Sequence, residues 1–559
     1  MKNKILIATL VLASMSLNSC NDILDQTPLD SFTSETVWGD LALSEAYLNA
    51  QYMNIRAESE NGTRFAHYTD EVFQMHTYGS ENYTQGLLSP DNCGIGWDDG
   101  LWDPWYYYYQ AINKINLFIE SIDDVPANSE KEVEWKKQQK GQGYFIRAWY
   151  YHMLYSFFGR VPIIDHTYEL DATFGETRQD MDKVADFIVS DLDQAAELLP
   201  KKYDESDYGR ATKGAALALK SRVLLYKASP LFGTPSNEKW RAAADAAKAV
   251  IDLGEYHLQS VSNSEEYGNL FLDPNNPEAI FVKLFDPKYG SGVNQRFLYQ
   301  APCGIGNGFE GWGNFQPTQN LVDKFQMADG TAPEVKSYYE EYPWGGREIR
   351  FYAALLLDGD EWGYGNARRQ VEVWYGEDGI NGKDSQWGDY WWNASKTGYS
   401  MRKFLDPSYD CKGTLMDTSP WFFIRYSEIL LNYAECMIEL GNNSEALQYI
   451  NMVRNRALLP DATGADIRAE YDYERQIELV FEGNRWFDQR RWKKMYEEYS
   501  KPIYGMTVGR RADGSKYYMT NDENNIVSTR VFNNDKLYWL PVPRWELNRA
   551  PEIDAAPYE

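Results

Sequence analysis

The chain is poor in the residues and patterns that most often carry enzyme chemistry. It has five cysteines and five histidines in 559 residues. No two cysteines stand as Cys-x-x-Cys, which excludes ribbon-type zinc sites and thioredoxin-like redox chemistry. No histidine pair has the His-Glu-x-x-His spacing that puts two zinc ligands on one helix face, and no Walker A loop is present. Gly-x-Ser-x-Gly, the elbow that exposes a nucleophilic serine, is absent too. Gly306-Asn307-Gly308-Phe309-Glu310-Gly311 fits Gly-x-Gly-x-x-Gly, but no apolar strand leads into it and Trp312-Gly313 follows in place of a helix. It reads as a Gly-rich binding loop, not a nucleotide fingerprint. Positive charge is also scarce. Lys plus Arg number 55 against 83 Asp plus Glu, a formal net charge of −28. Nucleic acids and anionic membrane surfaces need clustered positive charge, so neither is an expected partner, and a neutral ligand fits better.

One apolar run stands out, Ile5 to Leu17, preceded by Lys2 and Lys4. It is too short to span a bilayer and has the length of a signal-peptide core. It ends in Leu17-Asn18-Ser19-Cys20, which resembles a bacterial lipobox. That resemblance implies a signal peptide over 1–19, acylation of Cys20, and a polar tether over 20–40 as the sole membrane attachment. Cys93 and Cys303 both sit in Gly-rich loops and form a candidate disulfide pair in an exported protein. Cys436 falls in a helical apolar pattern and is expected to be a buried thiol.

Aromatic residues are abundant: 19 Trp, 42 Tyr and 24 Phe. Many fall on helical spacing. Trp105, Tyr109, Ile112, Asn116 and Ile119 step by three or four, as do Tyr144, Ala148, Tyr151, Leu154 and Phe158. From Leu41 to Leu199 the pattern is mainly helical, and Pro200 closes it. Two later stretches resemble tetratricopeptide (TPR) hairpins. The clearer one has Ala434, Leu440-Gly441, Ala446 and Ala457, with Gly441 stopping the first helix and Ser444 placed to cap the second. The other runs from Thr212 to Ala228 and from Trp240 to Leu253. Between 258 and 419 the texture changes to Gly, Asn, Asp, Pro and Trp, with short β-like runs at Ala279–Val282 and Val371–Tyr375. The expected fold is therefore mainly α: a TPR-like helical scaffold in one domain over 41–559, with an irregular loop and β-hairpin lobe at 258–419.

Segments scattered from end to end resemble the SusD/RagB family of outer-membrane lipoproteins. They include Arg147-Ala148-Trp149-Tyr150-Tyr151 leading to Phe158-Gly159-Arg160, Gly209-Arg210-Ala211-Thr212, and Pro317-Thr318-Gln319-Asn320-Leu321-Val322-Asp323. Arg425-Tyr426-Ser427-Glu428, Glu482-Gly483-Asn484-Arg485 and Leu537-Tyr538-Trp539-Leu540-Pro541 continue the series. The resemblance implies about four TPR-like hairpins and an irregular lobe. It further implies a lipid-anchored protein on the cell surface of the outer membrane that captures glycan for a SusC-type TonB-dependent transporter. No enzymatic activity, cofactor or metal is implied. Arg147, Arg160, Arg210 and Arg425 are expected to pair with acids or backbone carbonyls and to serve the fold.

Two rival classes remain. A glycoside hydrolase needs two carboxylates roughly 5–10 Å apart. Pairs such as Asp98-Asp99 or Asp358 with Asp360 arise by chance in so acidic a chain. A peptide-binding TPR adaptor is disfavoured by the lipobox. For a glycan receptor, site candidates are aromatics in polar, Gly-rich loops, because a ring plane covers the C–H face of a sugar. Tyr78, Trp97, Trp102, Phe309 and Trp312 qualify best, followed by Trp344, Trp362, Trp391 and Trp392. Arg368, with Arg369 and Asn366, could bond hydroxyls. Trp105, Trp149, Trp421, Trp486, Trp492 and Trp539 are assigned to packing.

Overall fold

The computed structural model of the chain describes residues 34–55, 62–77, 79–97, 100–168, 172, 174–286, 311–363, 365–389, 391–408 and 418–558. Cys20, Tyr78, Asp98-Asp99, Cys303, Phe309 and nearly all of the Gly306–Gly311 loop lie outside these residues, as do the side chains of Trp97 and Trp102.

Among the described residues, ten helices of eight or more residues build the scaffold. They are α1 (Leu41–Met53), α2 (Pro104–Ser121), α3 (Glu130–Phe158), α4 (Met181–Leu198), α5 (Lys213–Ala228), α6 (Asn237–Leu253), α7 (Tyr426–Glu439), α8 (Asn443–Arg456), α9 (Ile467–Glu478) and α10 (Asn484–Arg491). Short polar side chains start many of them by taking up orphan backbone N–H groups. Asp40, Asp103, Thr212, Ser236 and Asp466 cap α1, α2, α5, α6 and α9, and Ser129 with Glu132 makes a capping box on α3. Successive helices from α3 to α8 pack side by side, and α9 joins α7 and α8, as expected for stacked TPR-like hairpins. The expected cap at Ser444 is not realised: Asn442 occupies the cap position without a side-chain bond, and Ser444 lies inside the first turn of α8.

α3 is the axis of the core. From Phe145 to Phe158 every side chain is buried, so neighbours surround it on all sides. Gly141 permits this, since a Cβ there would meet that of Leu198 at 2.9 Å. Arg147 ties α3 to α4 through two 2.7 Å bonds to Asp191. Trp105, Trp149, Trp421 and Trp486 are buried, and Trp492 and Trp539 pack against the core, as expected of all six. Cys436 is a buried thiol, and Cys93 is unpaired among the described residues.

The lobe is held by short ladders. β1 (Val72–Gln74) runs antiparallel to β3 (Phe315–Pro317), and β2 (Ala279–Lys283) runs antiparallel to β4 (Trp421–Arg425). A four-stranded sheet joins Tyr375–Gly376, Met506–Arg510, Lys516–Thr520 and Tyr338–Tyr339, in that order. The strand expected at Ala279–Val282 is present. The Val371–Tyr375 run is not one strand; residues 371–374 lie outside any ladder, between the two-residue strands Arg369–Gln370 and Tyr375–Gly376. The hairpin at 506–520 was not anticipated, although Asp513-Gly514 is a strong turn signal.

Scaffold and lobe meet at a buried ionic cluster. The Arg425 guanidinium bonds Glu482 at 2.7 Å, Glu478 at 2.6 Å and Glu278 at 3.3 Å. Arg456 shares Glu278 and Glu478, and Arg350 reaches Glu348, Glu474 and Glu478. Burial pushes the Glu478 carboxyl up, but Arg456, Arg425 and Arg350 outweigh it and hold it well below the ordinary range. The family arginines therefore serve the fold. Arg160 pairs with Asp554, and Arg210 with Glu45 and Asp207.

Candidate functional site

Three loop segments converge on one face of the lobe: 72–77, which begins with β1; 311–318, which contains β3; and 386–397. Side-chain amides bind them together. Asn314 accepts from the backbone N–H of His76 at 2.7 Å, while its own carbonyl accepts from Met75 N–H at 2.8 Å. The His76 ring bonds the Asn393 amide at 3.0 Å. Gln316 accepts from the backbone N–H of Lys396 at 2.7 Å and donates to the Gly313 carbonyl at 2.7 Å. Asn314, Gln316 and Asn393 are all buried. A buried amide oxygen that accepts a backbone N–H from another loop fixes the two loops together, because leaving a buried polar group unbonded costs about 1–3 kcal/mol.

These ties present aromatic rings to solvent. Trp391 is 58% and Trp392 43% exposed, with centroids 6.3 Å apart and planes nearly perpendicular at 82°. The Lys396 ammonium stands 5.9 Å over the Trp391 ring and donates to the Trp391 carbonyl. Trp387 is exposed beside Tyr375, 5.1 Å away. Trp312 is half-buried at the start of the second segment and packs on the core. A cleft of about 220 Å³ adjoins these loops, lined by Phe73, Gln386, Lys396, Thr507 and Asn524. Rings and hydrogen-bonding side chains therefore share one surface.

Several sequence candidates are corrected. Trp344 is 1% exposed, wedged against Tyr399 and Tyr518, with its indole N–H on the Tyr399 hydroxyl. Trp362 is 2% exposed. Both are core residues, despite polar, Gly-rich neighbours in sequence. Arg368 is exposed but bound to Glu361 at 2.6 Å, and Arg369 is fixed by two 2.7 Å bonds to Asp384. Asn366 is exposed on the same hairpin. Trp97 and Trp102 lie on a two-stranded hairpin, Ile95–Trp97 with Gly100–Trp102, of which only the backbone is described. Sequence reading passed over His76, Asn393, Gln316 and Trp387. The Trp387-to-Asn393 stretch held the signal, with Gly, Asp and Asn interleaved among three tryptophans.

The acid pair Asp358 and Asp360 has structural partners. Asp358 accepts from Lys516 and from Val373 N–H, and Asp360 accepts from Leu357 N–H. Among the described residues no group of three or more His, Cys, Asp or Glu is placed to hold a metal ion. No described helix is long and apolar enough to cross a membrane.

A model described as the SusD family matches residues 277–558. The chain belongs to the SusD family. A second model, described as starch-binding and associating with the outer membrane, matches 22–225. A SusD-like protein of Formosa agariphila is 25% identical over 548 residues, covering 90% of this chain and 94% of that relative. The crystal structure of a SusD-like protein from Bacteroides fragilis is similar with a TM-score of 0.79 at 27% identity, covering 95% of this chain and 99% of that one. A SusD-like carbohydrate binding protein from the same organism gives 0.73 at 22% identity, covering 93% and 100%, and supports the fold. The two matching models together carry the descriptions SusD family, starch-binding and associating with the outer membrane, and the fold is the mainly helical one expected.

Proposed function

We propose that this SusD-family protein captures an oligo- or polysaccharide at the cell surface and passes it, uncleaved, to a SusC-type TonB-dependent transporter. The observation that carries the reading is the pair of exposed rings Trp391 and Trp392, on loops tied through Asn314, Gln316 and Asn393. A sugar ring has an apolar C–H face bordered by hydroxyls. Exposed indole planes cover the former, and Gln386, Lys396, Thr507 and Asn524 are the donors and acceptors for the latter. The buried ties hold the rings in place before ligand arrives, which lowers the entropy cost of binding. Tyr78, Trp97, Trp102, Phe309 and Trp312 are further candidate ligand contacts.

Trp391→Ala and Trp392→Ala are each expected to weaken glycan binding about ten-fold, equivalent to about 1.4 kcal/mol, with little change in thermal stability. Trp344→Ala is the contrast, costing about 3–5 kcal/mol of stability through a core cavity. Calorimetric titration and thermal unfolding separate the two. Unchanged affinity in both exposed-ring variants would remove this face from the receptor. The glycan's chain length is expected to stay constant during incubation; new reducing ends would contradict capture without cleavage.

Cys20 carries the proposed anchor. Cys20→Ala is expected to move the protein from the membrane fraction to the soluble one. Retention in the membrane would show that something other than acylation holds it. Mild detergent extraction of the wild type is expected to bring down the transporter, since a stable interface buries at least about 2,000 Å².

A further inference from the structure

A second groove lies on the helical side of the molecule, and it shares no residue with the face above. Its floor is α2. One wall is formed by Pro162, Ile164, Tyr168 and Phe174, and the other by the C-terminal helix Arg544–Arg549. Its volume is about 490 Å³, inside the range of about 300–1,000 Å³ typical of small-ligand clefts.

Two rings stand open at its rim. Tyr106 is 52% and Trp545 40% exposed, with centroids 5.8 Å apart and planes at 84°. They form a right-angled corner. The corner is fixed from behind. The Trp545 indole N–H donates to Asp103 at 2.9 Å, and the same carboxylate caps α2 at the Tyr106 N–H. Arg544 is bound twice to Asp91 at 3.0 Å, which anchors the start of the C-terminal helix. Both ring faces are therefore held in place without using the groove side.

The polar groups fall in register with the rings. Gln110 and Asn113 follow Tyr106 at four and seven residues, on one face of α2. At 1.5 Å per residue, Tyr106 to Asn113 spans about 10 Å along the groove. Both amides are exposed, and neither has a hydrogen-bond partner among the described residues. Arg549 closes one end, 5.5 Å over Trp545 and 5.8 Å over Phe174. Its charge is balanced by the buried Glu546 carboxylate at 2.8 Å.

Rings at right angles, unbonded amides at helical spacing and a neutralised cation suit a ligand with apolar faces and many neutral hydroxyls. They do not suit an acyl chain, which would leave Gln110 and Asn113 unbonded. We propose that this groove is a second carbohydrate site, taking a short run of neutral pyranose rings along α2 with one ring seated in the Tyr106–Trp545 corner. The proposal rests on the reading of the chain as a glycan receptor. Its consequence is a two-point grip on one polymer, because linked sites raise apparent affinity through effective concentration.

The test is calorimetric titration with a panel of neutral hexasaccharides (α-glucan, β-glucan, β-mannan, β-xylan and β-galactan) and with the matching polymers. The wild type is expected to take two copies of its preferred hexasaccharide. Tyr106→Ala and Trp545→Ala should each leave one and weaken polymer binding at least ten-fold. Gln110→Trp, which fills the groove and removes no packing, should do the same, so a folding defect in one variant does not decide the result. Trp391→Ala with Trp392→Ala should leave the α2 site as the one remaining. A wild type that binds one copy, lost with the Trp391 and Trp392 pair and untouched by the groove variants, overturns the second site alone. Loss of transporter co-purification in the groove variants, with two sugar sites intact, also overturns it and makes the groove a protein contact. No binding of any panel member by the wild type overturns the receptor reading and this proposal together.

Discussion

Arg425→Ala is expected to lower the stability of the protein by about 3–5 kcal/mol, the largest single-residue effect outside the hydrophobic core. The guanidinium is 3% exposed and faces Glu278, Glu478 and Glu482, with a further bond to the Glu478 carbonyl. Removing it leaves buried carboxylates sharing fewer cations. The position matters as much as the charge. Arg425 ends β4 and precedes the first residue of α7, so the cluster sits where the lobe's ladder enters the scaffold. Denaturant unfolding measures the loss. A decrease below about 1 kcal/mol would mean that the cluster relaxes around the gap and does not hold the junction. The acid limb of the stability curve should show the same cluster. The Glu478 carboxyl is held below its ordinary range, so its contribution is present above the unfolded value near 4.5 and is lost as pH falls below it.

Glu71→Gln is expected to act at the opposite end of the pH scale. Glu71 is buried where β1 begins, with one carboxylate oxygen on the Phe481 N–H and the other unbonded. Burial pushes its carboxyl up to about 8. A folded-state value above the unfolded one means that the folded protein keeps a proton that the unfolded chain releases. The contribution is therefore full below about 4.5 and is lost as pH rises to about 8. A rise from about 4.5 to about 8 corresponds to about 4–5 kcal/mol. Glutamine holds no such proton. The variant should match the wild type near pH 5 and exceed it at pH 8–9 by up to about 4–5 kcal/mol. Thermal unfolding at the two pH values checks this, and a constant difference between the proteins would refute the assignment. Since Glu71 also offers its carbonyl to Thr318 N–H, alkaline weakening here loosens the β1–β3 pairing that frames the aromatic face.

The scaffold was legible because its signals are local. Ala434, Leu440-Gly441, Ala446 and Ala457 mark a hairpin through spacing alone, and the caps at Asp103, Ser129 and Thr212 stand beside the helices they start. The lobe was much less legible. Its strands are two to five residues long and exist only because of partners far away in the chain, as with Phe73 opposite Gln316. The same problem governs the tryptophans. Trp344 and Trp392 both sit in polar, Gly-rich sequence. One is buried because Tyr399 and Tyr518 close over it, and the other stays 43% exposed beside Trp391. Periodicity carries no information about such long-range cover. The arginines were legible as structural elements, but the identity of their partners was not, since Glu278 and Glu482 lie more than fifty residues from Arg425 in either direction.

The amide ties beneath the aromatic face have an implication for how such a receptor diversifies. Asn314 and Gln316 grip main-chain groups of neighbouring loops, at His76 and Lys396, and Gln316 also bonds the Gly313 carbonyl of its own loop. A grip on main chain is indifferent to which side chains those loops display. Positions 387, 391 and 392 can therefore be rewritten while the mounting stays the same. The frame acts as a fixed socket for interchangeable reading heads. Grafting the 387–392 stretch of a relative with a different appetite should transfer preference for cargo and leave the melting temperature where it was.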